Sequence, residues 1–174
     1  PGEIRAALGP RPNRAFIVAD TGVPGVFRDE LVAELAQAGL NATVARVTPT
    51  EQDKSIVTLE RLLSAMGASG HSRIDPVVAL GGAMVDASVG GKPGVNLTVR
   101  VPAGNRLLKN MVGAFHQPLT VAADTRLLDS LPDRHRRSGL AECVKHAMIA
   151  GGITGADIMS ETAAVLPGVL AGER

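Results

Sequence analysis

Three short apolar runs alternate with two helix-patterned stretches over residues 15–80, and this alternation limits the fold more than any other feature. Residues 15–19 (Ala-Phe-Ile-Val-Ala) form an apolar run of strand length. Turn residues at positions 20–25 break it. Residues 26–38 then carry Leu31, Val32, Leu35 and Ala38 at helical spacing, with Gly39 as a stop. Residues 42–47 alternate and end in Val44 and Val47, which predicts a second strand. Thr50 and Asp53 predict a capping-box-like start to a helix. That helix carries Ile56, Leu59, Leu62, Leu63 and Met66 on one face and closes at Gly67 and Gly70. Residues 76–80 (Pro-Val-Val-Ala-Leu) predict a third, buried strand that ends in Gly81-Gly82. Strand and helix in this order predict βαβ units, an α/β fold and a parallel sheet. Ligands of such sheets bind beyond the carboxyl ends of the strands. Asp20, residues 49–54 and Gly81-Gly82 are therefore candidates for a nucleotide site. No G-x-G-x-x-G is present, so the common dinucleotide fingerprint is absent.

The pattern changes after residue 98. Residues 119–123 (Leu-Thr-Val-Ala-Ala) predict a further strand. Leu131-Pro132-Asp133 opens a helix expected to reach Ala150, where Gly151-Gly152 ends it. Residues 153–174 read as a weak helical stretch interrupted at Pro167-Gly168, and residues 1–14 as a loose lead-in. The domain boundary is expected between residues 131 and 132.

Composition closes off several function classes. The chain has 174 residues, three Phe, no Tyr and no Trp, so stacked single-stranded nucleic acid lacks its platforms. A net charge of +1 offers no general attraction for a polyanion. Nucleic-acid and membrane partners are not expected. The sole cysteine, Cys143, rules out an intrachain disulfide and suits a reducing compartment. The absence of a long apolar run or signal-like start adds to the expectation of a cytoplasmic protein.

The chemistry concentrates in residues 84–96 (Met-Val-Asp-Ala-Ser-Val-Gly-Gly-Lys-Pro-Gly-Val-Asn). Asp86 stands six residues before Lys92, and Gly90, Gly91 and Gly94 flank that lysine. Glycines let backbone N–H groups approach a ligand, and a lysine among them can meet a phosphate. Taken alone, Gly-Gly-Lys is more often a solvated turn. Glu142 and Lys145 share a helix face at i,i+3, the ordinary spacing of a surface ion pair. Glu142 and His146 at i,i+4 could share a metal, but two ligands do not make a site. Lys109 could bind an anion or stay a solvated loop lysine, and a lone His116 is more often structural. Glu51 and Lys54 fit helix-end electrostatics equally well. The run Arg134-His135-Arg136-Arg137 reads as a solvated face, and Cys143 as core.

Three blocks in order carry more than any one of them: residues 84–96, residues 109–118 (Lys-Asn-Met-Val-Gly-Ala-Phe-His-Gln-Pro) and residues 131–146 (Leu-Pro-Asp to Gly-Leu-Ala-Glu-Cys-Val-Lys-His). Together they resemble the 3-dehydroquinate synthases, and the resemblance runs from about residue 14 to 150. It implies a Rossmann-like, parallel-sheet NAD-binding domain followed by the start of a mainly helical domain. It implies that Asp20 holds an NAD ribose and that Glu51 and Lys54 contact NAD. Gly81 and Gly82 would open the glycine turn under the pyrophosphate. Asp86, Lys92, Lys109 and Asn110 would join cofactor, substrate carboxylate and phosphate. Glu142 would be a metal ligand and Lys145 a substrate contact. The catalytic set so implied is Lys92, Lys109, Asn110 and Lys145. The cofactors implied are NAD and a divalent metal, zinc or cobalt.

The implied reaction converts 3-deoxy-arabino-heptulosonate 7-phosphate to 3-dehydroquinate and phosphate, a step of the shikimate pathway. The substrate is oxidised at one hydroxyl, phosphate is eliminated, the ketone is reduced, and an aldol step closes the ring. A homodimer is the family's usual state. Two alternatives stand beside this reading: a related sugar-phosphate cyclase, or an inactive NAD-binding module of the same fold. The chain departs from the family in two places. Gly82-Ala83 leads at once into Met84-Val85-Asp86, so the stretch that the family carries there is missing. The family's two metal-binding histidines would lie beyond residue 174, so the chain by itself is not expected to be active.

Overall fold

The computed structural model describes residues 2–9, 11–48, 50, 52–81, 94–101, 106–115 and 118–171. Two compact units divide the chain, Pro1–Ala122 and Ala123–Arg174.

In the first unit a helix, α1 (Gly2–Leu8), precedes the predicted alternation β1 (Arg14–Asp20), α2 (Gly25–Gln37), β2 (Asn41–Val47), α3 (Ile56–Ala68) and β3 (Val77–Leu80). The three strands form one parallel sheet in the order β2-β1-β3. β1 is central and buried from Ala15 to Ala19 because both its faces are covered. Ala15, Ile17 and Ala19 pack with Leu35 of α2 and with Leu40. Phe16 and Val18 point the other way and pack with Val47 and with Leu62 of α3. The chain winds from β1 outward to β2, then back across β1 to β3. Right-handed crossovers in opposite directions send their helices to opposite faces, which makes the sheet doubly wound.

Local chemistry fixes the element ends. The Thr50–Asp53 pair does form, with the Asp53 N–H on Thr50 Oγ1 at 3.2 Å, but it lies in the turn before the helix. The cap of α3 is Ser55, whose hydroxyl accepts the Thr58 N–H at 3.2 Å. The expected loose lead-in instead begins with α1. Arg5 of that helix donates to the Ala38 carbonyl beyond α2 and to the Pro12 carbonyl at 2.8 Å, so the guanidinium ties the segment to the fold.

The first unit also holds an antiparallel pair, β4 (Gly94–Val101) and β5 (Arg106–Phe115). The two-residue alternation of Leu97, Val99 and Val101, followed by Pro-Ala-Gly-Asn at 102–105, is the sequence signal of this hairpin. By contrast, residues 119–123 are not a strand. Leu119 and Val121 are exposed, and among the described residues no strand pairs with them. An apolar run of strand length becomes a strand only where an edge is free to pair with it.

The second unit holds a 3-10 helix (Thr125–Ser130), α4 (Asp133–Ala150) and α5 (Gly152–Ala171). The expected break at Pro167-Gly168 does not occur, and α5 runs through both. Pro167 stands within the last turns, where it removes one N–H from a helix already near its end. Gly151 and Gly152 take φ of 59° and 53° between the helices, a conformation that favours glycine.

Candidate functional site

Sheet topology singles out the carboxyl end of β1. Its two neighbours lie on opposite sides in a chain that reverses direction there, which is the switch point at which α/β sheets open a crevice. Asp20 is the last residue of β1 and pairs in register with Val47, while Ala19 pairs with Leu80 of β3. Gly81 follows Leu80 directly. Asp20 and Gly81 thus leave adjacent strands at the same edge of the sheet.

Asp20 is held by its own turn. Its carboxylate accepts the Gly22 N–H at 2.6 Å, an Asx-type turn that fixes the acid at the strand end. A cleft opens beside it, lined by Asp20, Val23, Arg28, Arg46 and Leu80 among others. Its enclosed part is about 30 Å³, room for about one water. A carboxylate thus lies next to glycine-bearing backbone at a switch point.

Lys54 is buried, at 8% exposure, in the turn that leaves the carboxyl end of β2. Glu51, Gly82, Asp86 and Lys92 lie outside the described residues, as does His116. A larger open hollow of about 460 Å³ runs along α3 past Ile56, Leu59 and Leu63 and holds none of the candidate residues.

Lys109 and Asn110 lie in β5 at an irregularity. Leu97 pairs with Val112 and Val99 with Leu108, so Lys109, Asn110 and Met111 stand where β4 has Thr98 alone. Nothing in the sequence marks this bulge.

In the second unit Glu142 and Lys145 form an i,i+3 ion pair on α4, Nζ donating to Oε2. Both side chains are more than half exposed, at 58% and 53%. The hydrogen bond from Lys145, with its charge, holds the Glu142 carboxyl below the ordinary glutamate value, and His146 adds a little. Among the described residues no three His, Cys, Asp or Glu side chains gather as a metal site would require. The described residues therefore do not complete a metal centre, although Glu142 is a chemically suitable single ligand. Cys143 is exposed, contrary to its expected place in the core, and the buried residue of α4 is Ala147, one turn further on. No described helix is long and apolar enough to cross a membrane.

Comparison with known proteins bears on the same residues. The family model described as 3-dehydroquinate synthase N-terminal matches residues 83–138. The 3-dehydroquinate synthases of Brucella ovis and Brucella melitensis biotype 1 are each 37% identical over 164 residues, covering 78% of this chain and 41% of theirs. The chain thus spans about two fifths of the length of these curated relatives. An alignment of that length exceeds 78% of this chain, so the relatives hold positions for which it has no residue. Among solved structures, a 2-deoxy-scyllo-inosose synthase aligns with a TM-score of 0.66 at 23% identity, covering 82% of this chain and 46% of its own. The 2-epi-5-epi-valiolone synthase of Streptomyces hygroscopicus subsp. jinggangensis, with NAD+ and Zn2+ bound, aligns with a TM-score of 0.64 at 20% identity, covering 95% and 60%. These likenesses establish the fold.

Proposed function

We propose that this chain, which belongs to the 3-dehydroquinate synthase family, forms the NAD-binding side of a phosphate-eliminating cyclase. The observation that carries the reading is the gathering of Asp20 and Gly81 at one switch-point edge of a parallel sheet, with Lys54 in the turn from the adjoining strand. Support also comes from the solved relatives of the same fold, one holding NAD+ and Zn2+ and another carbaglucose-6-phosphate, NAD+ and Co2+. NAD and a divalent metal, zinc or cobalt, are the cofactors this reading implies. The substrate is 3-deoxy-arabino-heptulosonate 7-phosphate, and a second copy of the chain is its protein partner.

In this reading Asp20 accepts hydrogen bonds from the ribose hydroxyls and so fixes the dinucleotide along the sheet edge. Gly81 and Gly82 let backbone N–H groups come close to the pyrophosphate. Glu51, Lys54 and Asp86 complete the cofactor contacts. NAD, if bound, would supply an acceptor for the hydride on the hydroxyl-bearing carbon of the substrate, the hydroxyl losing its proton, and a donor for its later return to that carbon. Lys92 and Lys109 neutralise the substrate's carboxylate and phosphate, and Asn110 hydrogen-bonds the same group. The charge that grows on the departing phosphate is what these lysines stabilise. Lys145 contacts substrate, and Glu142 is the carboxylate this part of the fold offers to a metal. No step is assigned to a metal, since the described residues supply one ligand.

The second reading, an NAD-binding module without turnover, is favoured by one observation: Glu142 is tied to Lys145, and among the described residues no group of three potential metal ligands gathers. Phosphate release from the heptulosonate phosphate, with NAD+ and Zn2+ or Co2+ present, tests whether this chain turns over by itself. The 174-residue chain is expected to release none above the uncatalysed background. Sustained release at the rate of a working cyclase would show that the missing ligands are supplied after all.

A further inference from the structure

The Asp20 cleft contains a cation that no reading above uses. Arg46 is the penultimate residue of β2, pairs with Ala19 of β1, and lines the cleft with Asp20 and Arg28. The two guanidinium groups differ in what they already hold. Arg28 is committed to Asp29, through Nε at 2.9 Å and Nη2 at 2.8 Å to one carboxylate oxygen. The Arg46 side chain is exposed, and among the described residues its guanidinium has no hydrogen bond or ion pair. The lining therefore carries one carboxylate against two cations, one of them uncommitted.

Strand order says where along a dinucleotide this cation falls. Arg46, Asp20 and Gly81 stand at the ends of β2, β1 and β3, adjacent strands in that order. Strands lie about 4.8 Å apart, so Arg46 and Gly81 flank Asp20 across roughly 10 Å. With the pyrophosphate at Gly81 and the ribose at Asp20, Arg46 stands on the far side of the ribose. A carboxylate alone in that place selects a free 2′-hydroxyl and repels a 2′-phosphate. A guanidinium beside it accommodates the phosphate in a bidentate grip.

We propose that Arg46 is a specificity-determining residue that lets this site take a dinucleotide phosphorylated on the adenosine ribose as well as the unphosphorylated one. The proposal rests on the dinucleotide reading of the Asp20 cleft. Calorimetric titration of the 174-residue chain with NAD+ and with NADP+, repeated on Arg46→Ala and Arg46→Lys, tests it. In the unsubstituted chain NADP+ is expected to bind within about tenfold of NAD+. Arg46→Ala should weaken NADP+ by roughly tenfold or more and NAD+ much less. Arg46→Lys keeps the charge and should keep most of the NADP+ affinity. Arg46 is exposed, so the thermal melts of both variants should overlay the parent's. NAD+ binding with NADP+ excluded, or equal weakening of both by Arg46→Ala, would overturn the proposal and leave the cofactor reading standing. Binding of neither nucleotide would overturn both.

Discussion

Glu142 and Lys145 are in contact, and their chemistry is that of a solvated ion pair. The Lys145 hydrogen bond holds the Glu142 carboxyl below its ordinary value, and the Arg136 guanidinium does the same to Asp133 at the start of α4. A carboxyl depressed in the folded chain supports the fold above its unfolded value. That support fades as pH falls through the depressed value. Both pairs therefore help α4 at neutral pH and lose their help in acid, below the usual carboxylate range. Replacing Lys145 by Met should raise the Glu142 titration toward the ordinary glutamate value, as read from its side-chain carbon shifts across a pH series. An unchanged titration would mean that Lys145 does not hold this carboxyl. At this scale the sequence was a partial guide. The i,i+3 spacing of Glu142 and Lys145 correctly indicated a shared helix face. Nothing at that spacing could say whether a third ligand stands nearby, since ligands converge from distant segments.

At the scale of elements, α4 and α5 depend on one close approach. Gly155 is buried, and a Cβ on it would run into the carbonyl oxygen of Ala147, backbone that cannot swing aside. Gly155→Ala should therefore destabilise the second unit by about 1–3 kcal/mol, the range of an overpacked contact. Loss of α-helical circular dichroism at lower temperature, with the parallel-sheet unit unaffected, would register it. An unchanged melt would show that the two helices have room to part. The parallel sheet was legible because β1 is a continuous buried apolar run and α3 carries its apolar residues on one face, so both periods stand out between residues 15 and 80. The β4–β5 pair left an equally plain trace in Leu97, Val99 and Val101, but a two-strand element interrupts the expected alternation and was passed over. The bulge at Lys109 and Asn110 left none, because register belongs to the pairing of two strands and not to either one.

For the molecule as a whole, the division of labour follows the two units. The unit Pro1–Ala122 carries the doubly wound sheet and the cleft at Asp20. The unit Ala123–Arg174 carries Glu142 and Lys145. The resemblance places the stretch missing from the chain at Gly82-Ala83, directly after the glycine that would begin the pyrophosphate turn. The fold of the sheet does not require that stretch: β1, β2 and β3 close their core with Leu35 on one side and Leu62 on the other. On the proposed reading, cofactor binding is expected to survive where turnover does not. Titration of the 174-residue chain with NAD+ by amide chemical-shift mapping tests the proposed dinucleotide site at Asp20 directly. Saturable shifts are expected at Thr21, Gly22, Arg46, Val47 and Gly81, with affinity falling roughly tenfold or more in Asp20→Ala. Saturable shifts confined to other elements, or an affinity that Asp20→Ala leaves unchanged, would contradict it.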